Sequence, residues 1–339
     1  MAIEKPFRIL SIDGGGIRGV FPAKFLLHIE SELQRRGNNK TKLYQHFDLI
    51  CGTSTGGIIA LGLSLGLSAK EILDLYLNNA NKIFGGKKSL FTRLHRSAHD
   101  RVGLEDVVRN KFKEAFNGID PRLNDARTNL CIPIYDLSNG TASVLKTKHH
   151  ESYNRDYHIP AYQVALATSA APTFFDPYSA NYINLNGVEV AFNNKVDGGI
   201  VSNNPTLVGI IEAQKAFKKS LPELKILSIG TGHQKYSDAA NRSKWGIIYW
   251  MLKNNKQRLI DLFMQAQSQQ INHLINLLHV GIDKSENENF TYTRVDIELT
   301  ESTNIALDET DPDKLSRLVA LADREFQIEG NSIYTKHFQ

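Results

Sequence analysis

Cysteine occurs only twice in the 339 residues, tryptophan twice and methionine three times. Two cysteines are too few for a disulfide framework, and their setting favours buried thiols over a single disulfide or a metal site. Cys51 and Cys131 each lie inside an apolar, strand-like run, the setting of buried free thiols in a reducing compartment. Long apolar runs are missing as well. The stretch 47–69 comes nearest, but Gly, Ser and Thr dilute it and Lys70 and Glu71 close it, short of the ~18–20 apolar residues that span a bilayer. Any membrane contact is therefore expected to be peripheral. The opening MAIEKPFRIL lacks the ~7–15-residue apolar core of a secretory signal, so a cytoplasmic location is expected. Neither sign of charge dominates: 40 Lys and Arg stand against 36 Asp and Glu, a net charge of +4. That permits attraction to anionic lipid and falls short of a nucleic-acid footprint, so no nucleic-acid polymer is expected as a partner. Repeats and low-complexity tracts are absent, and 41% hydrophobic residues suffice for a sizeable core, which excludes a disordered or solenoid chain.

What is present is a repeated plan. FRILSID has the composition of a buried strand, the glycines after it break the pattern, and VFPAKFLLHIESELQRRG carries helical spacing up to Gly37. FDLICGTS repeats the strand and tight turn, and TGGIIALGLSLG follows as a small-residue helix. Two strand–turn–helix units in succession predict a mostly parallel α/β sheet. Ser68 with Glu71 forms the pattern of a capping box before a helix through SAKEILDLYLNNANKIF. NLCIPIYDL and ASVLKTK read as paired strands, IPAYQVALATSAAPTFF as a helix stopped near Pro172, and KILSIGTG as the last clear core strand. Beyond Gly232 glycine becomes scarce. Leu259, Leu262, Phe263 and Ala266, then Ile271, Leu274, Ile275 and Leu278, recur at helical spacing, which predicts packing helices. FTYTRVDIEL alternates like a strand, and DPDKLSRLVALADREF reads as a helix led by Asp and Pro.

Gly52-Thr53-Ser54-Thr55-Gly56 matches the G-x-S-x-G elbow, in which a crowded turn from strand to helix demands small neighbours and lifts a serine hydroxyl from the sheet edge. The same residues are also compatible with glycines that let a helix pack closely and a Ser54 that caps it. A nucleophilic serine needs a base. Asp197 in VDGGIVSNNP stands before Gly198 and Gly199, where a turn can present a carboxylate, although a turn-forming aspartate has the same look. His233 follows a strand in a glycine turn and would complete a Ser–His–Asp triad. Asp13 to Gly19, DGGGIRG, places bare amides at a helix start, a nest able to hold an oxyanion. Its letters also satisfy G-x-G-x-x-G, but the acidic residue a dinucleotide site requires falls at Glu32, inside the first helix.

DGGGIRG, GTSTG and DGG in this order, together with ATSAAPTFFDP and SNNP, resemble the patatin-like phospholipase family over roughly residues 7–235. The resemblance implies a three-layer α/β sandwich with a mostly parallel central sheet, helices on both faces and a helical C-terminal extension. It divides the chain into a catalytic domain, 7–235, and an extension packed on it, 236–339. It implies a Ser54–Asp197 dyad that works without histidine, an oxyanion segment at Gly14, Gly15, Gly16 and Arg18, and motif glycines at Gly19, Gly52, Gly56, Gly198 and Gly199. Position 199 often carries alanine in the family. The substrate implied is a membrane phospholipid acyl ester, and no metal or other cofactor is expected, since no EF-hand loop or His/Cys cluster is evident. Within the family the compact chain is similar to bacterial effectors that cyclic nucleotides activate in antiphage defence. That similarity implies a cyclic dinucleotide activator, self-association as a homodimer and action at the inner membrane surface. Residues 84–96 mix Lys87, Lys88, Arg93 and Arg96 with Leu90, Phe91 and Leu94, a composition suited to an anionic bilayer and equally to a solvated loop. A nucleotide-binding regulatory module and a noncatalytic storage or interaction protein are the competing readings, and the three motifs together weigh against both.

Overall fold

The computed structural model describes residues 5–37, 42–86, 97–234, 258–281, 290–300 and 305–339. In chain order the first elements are β1 (Phe7–Ile12), α1 (Val20–Arg35), β2 (Leu49–Gly52), α2 (Thr55–Ser64), α3 (Ala69–Phe84) and α4 (Val102–Ala115). There follow β3 (Asn129–Asp136), β4 (Thr141–Lys146), α5 (Ala161–Thr168), β5 (Tyr178–Ile183), β6 (Glu189–Asp197), α6 (Gly199–Ser202) and α7 (Thr206–Phe217). The chain closes with β7 (Leu224–Ile229), β8 (His233–Gln234), α8 (Arg258–Gly281), β9 (Thr291–Val295), β10 (Glu298–Leu299) and α9 (Pro312–Phe338).

Eight strands form the central sheet in the order β5-β6-β3-β2-β1-β7-β9, with β4 paired to β3. Neighbours from β3 through β2, β1 and β7 to β9 run parallel, and β4, β5 and β6 add antiparallel pairs. Strand alternation sends side chains to two cores. Leu10 and Ile12 of β1 and Ile50 of β2 join the core beneath α1, α2 and α3, while Ile9, Leu49 and Cys51 join Ile210 and Ala213 of α7 and Ile275 of α8 on the opposite face. Both faces are thus covered, as a parallel sheet requires. This is the α/β sandwich with flanking helices that the sequence predicts.

Ser68 accepts from the Glu71 amide and Glu71 returns a bond to the Ser68 amide, the capping box anticipated at α3. Cys51 and Cys131 are buried, unpaired and directly opposite each other in the β2–β3 register. Differences arise where tertiary pairing decides. The helix expected through IPAYQVALATSAAPTFF is only α5, which stops at Thr168 before the Ala-Ala-Pro stretch. KILSIGTG is β7, yet a later strand, β9, pairs with it, so the segment after Gly232 contributes directly to the sheet. The β5–β6 hairpin, which positions Asp197, has no distinct sequence signal: its exposed positions alternate irregularly and its register shifts between Tyr178 and Ala180. On α8 Ile275 is buried as a packing residue, whereas Phe263 and Leu274 are exposed. α9 packs across α1. No helix among the described residues is long and apolar enough to cross a membrane.

Candidate active site

β2 ends at Gly52 and α2 begins at Thr55, leaving two residues to reverse the chain direction. Ser54 absorbs the turn at φ 54° and ψ −123°, a conformation that costs a non-glycine residue ~1–3 kcal/mol. The crowding is backbone against backbone: a Cβ at Gly56 would stand 2.2 Å from the Ile12 carbonyl oxygen, and one at Gly52 2.1 Å from the Gly56 carbonyl oxygen. The amide of Ser54 donates to Thr168 Oγ1 at 3.0 Å, and that hydroxyl donates to the Pro133 carbonyl at 2.7 Å, which ties the elbow to α5 and β3.

Ser54 Oγ donates to Asp197 Oδ2 at 2.6 Å. The other carboxylate oxygen accepts from the Gly199 amide at 2.7 Å, so the turn after β6 fixes the carboxylate's orientation. Burial, opposed by these two hydrogen bonds, raises the Asp197 pKa to about 7. A carboxylate with that affinity is a competent proton acceptor near neutrality. Beside the pair lies an apolar slot with only about 40 Å³ of free space, lined by Ile58, Tyr76, Phe174, Phe175, Met264 and Leu307.

The glycine loop passes the same point. Gly16 lines the slot with Ser54, whereas Gly14 and Gly15 face a separate polar cavity. The Gly14 amide is spent on the Asn203 carbonyl, the Ile17 amide on Leu307 and the Arg18 amide on Gly15. Those of Gly15 and Gly16 have no partner among the described residues. The Arg18 side chain turns away, donating to the Ile305 carbonyl at 2.7 Å and to Asp261 at 3.1 Å and 3.3 Å. Gly19 packs on Thr55, and Gly198 on the Pro133 carbonyl. His233 lies at the polar cavity, with Nδ1 3.4 Å from Asp296 Oδ2, while Ser54 meets Asp197. The hydrogen bond to Asp296 raises the His233 pKa, and burial opposes it. Glu32 is taken up by Arg35 and Arg36 on the outer part of α1.

Thr55 escaped notice in the sequence although the elbow motif contains it. Its amide opens α2 without a side-chain cap and adjoins Ser54, the position from which a nucleophile elbow supplies an oxyanion donor. Thr168 lies in the ATSAAPTFFDP segment without having been singled out, and Met264 and Leu307 have no motif and join the site only through the fold. Cys131, His149 and Glu212 could together hold a metal ion on the far face of the sheet. The Glu212 carboxylate there is occupied by Lys146 at 2.5 Å and His149 at 2.8 Å, which leaves a buried ion-pair cluster.

A serine raised at a strand-to-helix elbow with a carboxylate against it is an arrangement suited to acyl hydrolysis, the chemistry of a hydrolase. Residues 10–210 match the family profile described as patatin-like phospholipase, and the chain belongs to that family of hydrolases. It is 33% identical over 339 residues to a cGAMP-activated phospholipase of Vibrio cholerae, covering 96% of this chain and 92% of that protein. A cGAMP-activated phospholipase of Escherichia coli is 31% identical over 337 residues, 94% and 88% of the two chains. Patatin-like protein 3 of Arabidopsis thaliana is 31% identical over 324 residues, 85% and 73%.

Proposed function

We propose that this chain hydrolyses acyl esters of membrane phospholipids with Ser54 as nucleophile and Asp197 as its base, and that a cyclic dinucleotide switches it on in antiviral defence. The 2.6 Å contact between Ser54 Oγ and Asp197 Oδ2 at the mouth of an apolar slot is the observation that carries the reading. Ser54 Oγ attacks the ester carbonyl carbon as its proton passes to Asp197. The carbonyl oxygen becomes negative and is met by the amides of Gly16 and Thr55, with Gly15 next in the loop. Collapse breaks the ester bond, and the Asp197 proton leaves with the departing alkoxide as a lysophospholipid. Water then gives its proton to Asp197 and attacks the acyl-serine, releasing the fatty acid and restoring the hydroxyl.

The names of the Vibrio cholerae and Escherichia coli relatives support cGAMP as activator. The enzyme then acts at the inner membrane surface as a peripheral protein. Lys87, Lys88, Arg93 and Arg96 are candidate lipid contacts, and these four positions lie outside the described residues. Ser54→Ala and Asp197→Asn are each expected to lower turnover of phospholipid vesicles by at least ~10³-fold, because a nucleophile and its base fail as a unit. Both variants should keep a cooperative thermal transition. A folded Asp197→Asn protein that retains a tenth or more of the activity would remove Asp197 as the base.

A further inference from the structure

Behind the glycine loop lies a second cavity, of about 220 Å³, whose wall includes the loop at Gly14 and Gly15, Arg294 of β9, and Gln265, Gln269 and Asn272 of α8. The charges around it are paired off. Arg18 meets Asp261, Arg294 meets Asp13 at 2.7 Å and Asp296 at 2.9 Å, and His233 meets Asp296. A phosphate would need cations not already committed to carboxylates, so the chemistry favours a neutral group rich in hydrogen-bond donors and acceptors. Gln269 is exposed at the rim, and its amide makes no hydrogen bond to the described residues. Asn203, buried in the wall, donates from Nδ2 to Ser268, while its Oδ1 accepts nothing among the described residues. The volume falls below the ~300–1,000 Å³ of a site for a whole drug-sized ligand and suits one end of a larger molecule.

Two residues belong to both cavities. Met264 of α8 and Leu307 form part of the polar wall and part of the slot beside Ser54. Leu307 is fastened in place: its carbonyl accepts from the Ile17 amide at 2.9 Å, the neighbouring Ile305 carbonyl holds Arg18, and Asp308 meets His99 at 3.1 Å. With these contacts made, the slot keeps about 40 Å³ of free space. Because Met264 and Leu307 belong to both walls, neither can shift without reshaping both cavities.

We infer that the polar cavity takes one nucleobase of the activating cyclic dinucleotide, its phosphates remaining outside, and that Met264 and Leu307, shared by both walls, couple its occupancy to an open or a closed form of the slot. This rests on the activation reading above. The base shifts the equilibrium only as far as it binds the open form more tightly, and a change from 1:99 to 99:1 takes about 10⁴-fold preference.

The test is calorimetry of cGAMP binding to full-length Ser54→Ala protein, with and without Gln269→Ala or Gln269→Trp. Residue 269 is exposed, so both variants should unfold at the parent temperature. Gln269→Ala is expected to raise Kd about tenfold, the loss of one well-made hydrogen-bonding group, and Gln269→Trp to abolish binding by filling the cavity. In the active enzyme the cGAMP concentration for half-activation should rise by the same factor. Parent-like Kd values in both variants would overturn the cavity assignment alone. If the Ser54→Ala parent itself gives no binding heat, the assignment falls together with the activation reading.

Discussion

Asp197 is the residue whose ionisation should govern both rate and stability. As the proposed base it would work only when charged, so kcat/KM is expected to rise with pH through about 7 and level off above it, measurable with a soluble ester across pH 5–9. The effect on stability has the opposite sign. The folded-state value of about 7 lies above the ordinary 3.8, so the folded protein holds this proton more tightly than the unfolded chain. The corresponding stabilisation is complete below about pH 4 and is lost as pH rises through about 7. At ~1.4 kcal/mol per pH unit the displacement amounts to roughly 4 kcal/mol, an upper figure for a buried group. Asp197→Asn removes that cost while keeping an acceptor for the Gly199 amide and a polar partner for Ser54. The inactive variant is therefore expected to be ~1–3 kcal/mol more stable than the parent at pH 8 and to lose this advantage below pH 5, as read from urea unfolding at the two pH values. Equal stability at pH 8 would show that Asp197 is not held against its solvation.

The elbow is the element on which the serine depends, and its tolerance for added atoms is low. An alanine methyl at Gly56 meets the Ile12 carbonyl at 2.2 Å, and neither backbone can retreat without displacing β1 or α2. Gly56→Ala should cost about 3 kcal/mol or more by denaturant unfolding and remove activity along with it. Gly140→Ala, at a β3–β4 turn with φ +62° and open space around it, should cost only ~1 kcal/mol of backbone strain and preserve turnover. A loss at Gly56 no larger than that at Gly140 would show that the close approach to the Ile12 carbonyl does not set the cost at the elbow.

Across the whole molecule, the stretches 7–235 and 236–339 share one sheet through the β7–β9 pairing, and α8 reaches both cavities. We propose a division of labour between them: chemistry in the first, sensing and self-association in the second. Phe263, Leu274, Leu277 and Leu278 are 58%, 45%, 55% and 38% exposed and fall on one face of α8. That face is the candidate homodimer contact. Leu277→Asp is expected to shift sedimentation toward the monomer without changing the unfolding midpoint. An unchanged sedimentation coefficient for a dimeric parent would move the contact elsewhere.

The sequence by itself determined the α/β class, the first two strand–turn–helix units, the capping box at α3 and the three motifs of the site. Each is a local matter: hydrophobic period, turn chemistry and the sterics of glycine act over a few neighbouring residues, so the letters carry them. The tertiary structure alone decided which amides the glycine loop has left after Gly14, Ile17 and Arg18 are bonded, and where His233 lies. It also decided that β5 and β6 form the hairpin presenting Asp197, that β9 extends the sheet, and that Met264 and Leu307 narrow the slot. Ser54 and Asp197 are 143 residues apart, and Arg18 and Asp261 are 243 apart. Contacts at such separations depend on strand order and helix packing, to which no local pattern corresponds.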